Sequence, residues 1–277
     1  MESLKDKRVL ITGVSSGIGL ATARLLLEHG ASVVGSVRRE ADGERLADAG
    51  GETALMDVTE HARVGEVVDT HGPFHVLVNN AAFSYRSSIE EGDDAIIRAI
   101  YEVNVFGLLA VTRAVLPGMR GLGDGAVVNI SSVSGRVGMP LNGHYSSTKW
   151  AVECLSESLR YEVAGFGIRV LSIEPGMVKT QFANTLHKEP RTYEDPLSPY
   201  AEMARKVPAP PAPSGAPPED VADVVVKALL APDPCPLRWP ANPDAEEAIG
   251  LSLRLGDPGY FTEMGRRLGI PSDPSGF

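Results

Sequence analysis

Cysteine is nearly absent from this 277-residue chain: Cys154 and Cys235 are the only two. They are too few and too far apart in sequence for a disulfide framework or a zinc site, which fits a reducing compartment. Basic residues are also short, with 26 lysines and arginines against 36 aspartates and glutamates and a formal net charge of −10. That balance excludes nucleic acid or an anionic membrane as the main partner, since both demand a basic face, and any polyanionic ligand must be held locally. No apolar run is expected to reach the ~20 residues of a membrane helix. The stretch from Met1 to Arg8 lacks the apolar region of a secretory signal, so the expectation is a cytoplasmic protein without a membrane span. The histidines show no metal-ligand grouping, and no metal is expected.

Apolar material is ample at 43% of residues, enough for one sizeable α/β domain. Apolar runs read as buried parallel strands at 9–12, 32–37, 53–56, 74–79, 126–131 and 168–173, with helices near 18–29, 60–70, 94–116 and 145–164. This alternation implies a doubly wound parallel sheet, whose ligands bind beyond the carboxyl ends of the strands. After Pro175 the regularity fails. Prolines crowd residues 181–218, including the run from Pro208 to Pro213, a helix resumes at Glu219, and Pro232, Pro234, Pro236 and Pro240 follow. Fixed φ and missing amide donors exclude a continuous helix or a central strand there. A mobile lid and a plain linker compete, and a long insertion in a compact domain favours the lid.

Three glycines, Gly13, Gly17 and Gly19 in Thr12-Gly13-Val14-Ser15-Ser16-Gly17-Ile18-Gly19, sit where a strand ends and a helix begins. They allow a tight turn and close approach of a pyrophosphate to the helix N-terminus. The spacing T-G-x-x-x-G-x-G marks a variant of the dinucleotide-binding turn. Further on, Tyr145 and Lys149 stand four apart, so they share a helix face and the ammonium can ease proton release from a phenol whose ordinary pKa is about 10. Asn104 lies in an otherwise apolar helical stretch, where its amide competes with backbone hydrogen bonding.

Taken in order, Thr12 to Gly19, Asp57-Val58, Asn79-Asn80-Ala81, Asn104, Ser132, Tyr145 with Lys149, and Pro175-Gly176 resemble the motifs of the short-chain dehydrogenase/reductase family over roughly residues 5–180. The style is similar to hydroxysteroid and retinol dehydrogenase members. The resemblance implies a Rossmann-like single domain over 1–277, with 181–218 as a substrate lid and 241–277 as a helical C-terminal extension. It implies hydride transfer between a nicotinamide and a ketone or aldehyde, giving an alcohol, or the reverse. Tyr145 would be the acid/base and Ser132 would hold the substrate oxygen, with Ser131 the alternative serine. Lys149 would lower the pKa of Tyr145 and bond the nicotinamide ribose, and Asn104 would anchor a water that completes a proton relay.

The cofactor contacts implied are Gly13, Ser15, Ser16, Gly17, Ile18, Gly19, Ser36, Arg38, Arg39, Asp57, Val58, Asn80, Ala81, Ala82, Tyr145, Lys149, Pro175, Gly176, Val178 and Thr180. Ala82 departs from the family's usual glycine. No acid precedes Glu40 at the end of the second strand, so Ser36, Arg38 and Arg39 point to NADP(H), with NAD(H) as the alternative. Substrate contacts are expected from Phe83 to Tyr85, Ser134, Met139 to Asn142, Met177 and the segment after Thr180. Their mostly apolar character suggests a lipophilic or neutral small molecule. Cys154 is expected to pack in the core of its helix. The family implies a homo-oligomer, dimer or tetramer. Epimerase or dehydratase chemistry and a cofactor-sensing regulator are the rival functions.

Overall fold

The computed structural model describes residues 1–182, 186–207 and 215–272. Strand β1 (Arg8–Ile11) runs into helix α1 (Gly17–Glu28). There follow β2 (Ser32–Val37), the short α2 (Glu44–Ala47), β3 (Glu52–Leu55), α3 (His61–His71) and β4 (Val76–Asn79). After the two-residue β5 (Tyr85–Arg86) come α4 (Asp94–Tyr101) and α5 (Leu108–Leu122), joined by a π-helical turn at Glu102–Gly107. Next are β6 (Gly125–Ile130), α6 (Gly143–Val163) and β7 (Ile168–Glu174). The remainder holds β8 (His187–Lys188), α7 (Pro190–Tyr193), α8 (Ala201–Lys206), α9 (Pro218–Leu230), β9 (Arg238–Pro240) and α10 (Pro243–Leu268).

Seven strands form one parallel sheet in the order β3-β2-β1-β4-β6-β7-β9, the doubly wound arrangement that the alternating pattern implies. Alternation along the strands feeds two cores. Val9, Ile11, Val76, Val78 and Val128 face one side, with Leu26 of α1 and Val221 and Val225 of α9. Leu10, Val34, Leu77 and Val127 face the other, with Val64 of α3 and Val111, Val115 and Met119 of α5. Burial on both faces is why the strands read as continuous apolar runs. The short β9 ends at Pro240 and occupies the sheet edge, where a missing amide donor is tolerated.

The segment Asp94–Leu122 is long and apolar enough to cross a membrane by length and composition, contrary to the expectation that no run reaches that length. In this fold it flanks the sheet and buries Ile100, Val111, Val115 and Met119. The expected single helix over 94–116 is interrupted by the π-helical turn, then passes Pro117 and ends at Gly123 in a left-handed cap. Cys154 is exposed on α6, correcting its expected place in the core; its neighbour Glu153 is buried instead. The C-terminal extension is helical as expected, broken at Gly256 (φ 63°, ψ 176°).

Much of the proline-rich segment is docked. β8 pairs in parallel with β5, Tyr85 opposite His187. Behind them the Glu91 carboxylate, almost wholly buried, accepts hydrogen bonds from Thr192 Oγ1 (2.7 Å) and Ser198 Oγ (2.9 Å) and pairs with Arg191 Nε (3.2 Å). Tyr85 donates to Glu189 (2.6 Å) and Tyr200 to Glu90 (2.6 Å). The 187–206 portion is thus tied to residues 85–91 by polar contacts, while the expected run from Pro208 to Pro213 lies outside the described residues.

Candidate active site

A cavity of about 510 Å³ opens beyond the carboxyl ends of the strands, over the switch point between β1 and β4 where the chain order reverses. Successive strand ends supply its lining: Gly13 and Ser15 to Ile18 after β1, Ser36 to Arg38 at β2, Met56 to Val58 after β3, Asn80 to Phe83 after β4, Ile130 to Ser132 at β6, and Pro175 with Gly176 after β7. Tyr145 and Lys149 enter from α6.

The glycine turn is built around Asn80, whose side-chain amide donates to Thr12 O (2.9 Å) and Gly13 O (2.8 Å). Thr12 Oγ1 accepts from the backbone of Asn80 (2.9 Å) and Ala81 (3.0 Å), so the two strand-end turns hold each other. Gly17 adopts φ +60° beside Thr180. A Cβ on Gly19 would lie 2.4 Å from Gly13 O and 2.5 Å from Asn80 Nδ2, so Gly19 is required for packing within the turn and does not line the cavity. Ser16, in extended conformation, begins α1 without a side-chain cap, and Ser16, Gly17 and Ile18 at this helix start line the cavity.

At the β2 end Ser36 is turned inward, accepting from Gly13 N (3.1 Å). Arg38 lines the cavity, but Arg39 does not; its guanidinium is forked onto Asp42 (2.8 Å for both bonds). Asp42 itself lines the cavity, an acid that the sequence reading missed. Asp57 also lines it, while its Oδ1 accepts from Thr59 N (2.9 Å) and Thr59 Oγ1 (2.7 Å), leaving Oδ2 for another donor. Val58, Ala81, Ala82, Val178 and Thr180 are all in the lining.

Ser132, Tyr145 and Lys149 meet at the far end, all buried. Burial pushes the Tyr145 phenol up to about 12, against a hydrogen bond with Ser132 that lowers it. Burial also draws the Lys149 ammonium down to about 8, against the Glu153 carboxylate, which raises it. Lys149 Nζ donates to Ile130 O (2.8 Å) and lies 5.8 Å from the centre of the Tyr145 ring. The phenol is therefore shifted upward by desolvation, with Ser132 and not Lys149 opposing the shift. Beneath Lys149, Glu153 accepts from Ser172 Oγ (2.5 Å) and pairs with Arg238 (2.9 Å), and Glu174 pairs with Arg136 (2.9 Å), a buried charge cluster that sequence reasoning did not find.

Asn104, in the π-helical turn, does not line the cavity. Its carboxamide accepts from Phe83 N (3.1 Å) and donates to Phe83 O (3.0 Å) and Thr148 Oγ1 (3.1 Å), fixing the wall after β4 to the tyrosine helix. The expected substrate residues Ser134, Met139, Asn142 and Met177 are also outside the lining. Asn142 Nδ2 donates to Ser134 Oγ (3.2 Å), supporting the loop before α6, and Met177 is exposed. The wall around Tyr145 comes from the other expected places, Phe83 and, after Thr180, Phe182 and His187, with Phe182 edge-on to Tyr145 and His187 edge-on to Phe83. The expectation named that segment without a residue, because no periodicity in the proline-rich stretch marks a residue's direction.

Residues 7–191 match the model of the family described as short chain dehydrogenase. Oxidoreductase BOA17 of Botryotinia fuckeliana is 34% identical over 88% of this chain and 92% of its own length. Among solved structures, a short-chain dehydrogenase from Streptomyces avermitilis superposes with a TM-score of 0.79 at 33% identity, covering 95% of this chain and 97% of that one. A short chain dehydrogenase from Burkholderia cenocepacia in complex with NADP gives 0.75 at 28% identity, covering 97% and 100%.

Proposed function

The chain belongs to the short-chain dehydrogenase family and is an oxidoreductase acting on CH–OH groups, and from that premise we propose that it interconverts a ketone or aldehyde and an alcohol with NADP(H), Tyr145 serving as general acid/base. The observation that carries the reading is the convergence of Ser132, Tyr145 and Lys149 at one end of a cavity whose other end is the glycine turn.

The cavity's chemistry fits a dinucleotide. Uncapped amides at the start of α1 suit a pyrophosphate, and Asp57 with Val58 suits an adenine. Arg38 suits a 2′-phosphate, because Asp42 is already neutralised by the Arg39 fork and Arg38 has no hydrogen bond among the described residues. When bound, the nicotinamide exchanges a hydride with the substrate carbon. In reduction, Ser132 donates a hydrogen bond to the carbonyl oxygen and Tyr145 delivers its phenolic proton there. Lys149 would hold ribose hydroxyls and return a proton toward Tyr145, with Asn104 bracing the turn against the tyrosine helix. Phe83 and Phe182 favour an apolar substrate body. The NADP-bound Burkholderia cenocepacia relative supports a nicotinamide dinucleotide, and the choice of the phosphorylated form rests on Arg38.

Turnover of a panel of ketones and aldehydes with NADPH and with NADH tests this. NADPH is expected to be preferred by about tenfold or more, one charge-assisted phosphate contact, with the preference lost in Arg38→Ala. Equal turnover with both cofactors, or a preference for NADH, would refute the assignment.

A further inference from the structure

The C-terminal segment reaches back to the catalytic end of the cavity. There Pro175 and Gly176 form the wall beside Ser132 and Tyr145, with Pro175 O accepting from Val133 N (2.8 Å) and from Ser132 Oγ (3.4 Å). The opposite side of this turn is held by residues around the start of α10, and Met177 O accepts in addition from Ala216 N (3.0 Å). Ala241 N donates to Glu174 O (3.1 Å), Gly176 N to Asn242 Oδ1 (2.9 Å) and Met177 N to Asp244 Oδ2 (2.7 Å). Asn242 Nδ2 donates in return to Met177 O (3.0 Å), and the same side chain caps α10. The approach is close: a Cβ on Gly176 would lie 2.2 Å from Asp244 Oδ2 and 2.8 Å from Asn242 Oδ1.

Resting on the nicotinamide reading of the cavity, we infer that Asp244 and Asn242 are positioning residues that fix the Pro175–Met177 turn for the nicotinamide end of the cofactor. A hydride donor must lie where Tyr145 can reach the substrate oxygen, and the Pro175–Gly176 wall bounds that place. Neither Asp244 nor Asn242 lines the cavity; they act through the two amides they hold. With those amides released, the turn would be ordered only at the expense of cofactor binding. The adenosine end, at Arg38, Asp42 and Asp57, is formed by other strands and does not depend on this clamp.

Calorimetric titration with NADPH and with 2′-phospho-ADP-ribose, which lacks the nicotinamide, separates the two ends without a substrate. Asp244→Ala, an exposed position, is expected to weaken NADPH by about tenfold, the loss of a hydrogen bond to a charged acceptor, and to leave 2′-phospho-ADP-ribose within about twofold. Asp244→Asn restores an acceptor for Met177 N and is expected to recover most of the affinity. Asn242→Asp, which keeps the acceptor for Gly176 N and loses the donor to Met177 O, gives a smaller loss in the same direction. Unchanged NADPH binding in Asp244→Ala, or equal weakening of both ligands, overturns the inference while leaving the cavity's assignment intact. A wild-type protein that binds neither NADPH nor NADH overturns the assignment itself, and the inference with it.

Discussion

Burial moves Tyr145 and Lys149 in opposite directions along the pH scale, and that decides which of them titrates in a working range. At about 12 the phenol stays protonated and able to donate at any ordinary pH. Lys149, drawn from 10.5 to about 8, is the group that changes charge. Ketone reduction is therefore expected to fall as pH rises through about 8, as the ammonium that returns the proton is lost. A rate independent of pH from 7 to 9.5 would show that Lys149 does not titrate there. Linkage runs the other way: the unfolded chain binds more protons between about 8 and 10.5, so this group's contribution to stability rises with pH across that window. Motif residues were legible because their roles depend on local spacing. Arg39 was not, since its pairing with Asp42 depends on a 3₁₀ turn that brings side chains three apart into line. The tight-turn role expected of Gly19 is met, but the partner that enforces it, Asn80, is far away in sequence and could not be read there.

Among the elements, the sheet strands before residue 175 could be read from their apolar runs because both faces are buried. The π-helical turn left only an indirect signal, an asparagine where helix disfavours it. Asn104 is there because its carboxamide satisfies both backbone groups of Phe83, a contact that no periodicity encodes. The segment from β8 to α8 was illegible for a different reason: its order comes from polar contacts with residues 85–91, chiefly at Glu91. Glu91→Ala removes the shared acceptor of Thr192, Ser198 and Arg191, and is expected to cost about 2 kcal/mol, felt locally. Hydrogen exchange should then show faster amides across 187–206 and at 85–91, with β1 and β4 protected as before. An unchanged pattern would mean that the carboxylate does not hold the segment.

Across the whole molecule, reversal of strand order between β1 and β4 places the glycine turn and the tyrosine helix at opposite ends of one cavity, although they are far apart in sequence. On the proposed reading, a chain of net charge −10 would meet an anionic cofactor with local devices, the helix N-terminus and Arg38. The C-terminal extension reaches the same cavity wall through Asn242 and Asp244, which bond Gly176 N and Met177 N. The account turns on proton transfer by Tyr145 coupled to hydride transfer, and substitution of that one hydroxyl tests it most directly. With NADPH and the best ketone of the panel, Tyr145→Phe should lower kcat by about 10²–10⁴-fold, the usual contribution of a positioned acid, while NADPH binding persists. Near-normal turnover in that variant, with cofactor still bound, would contradict the account.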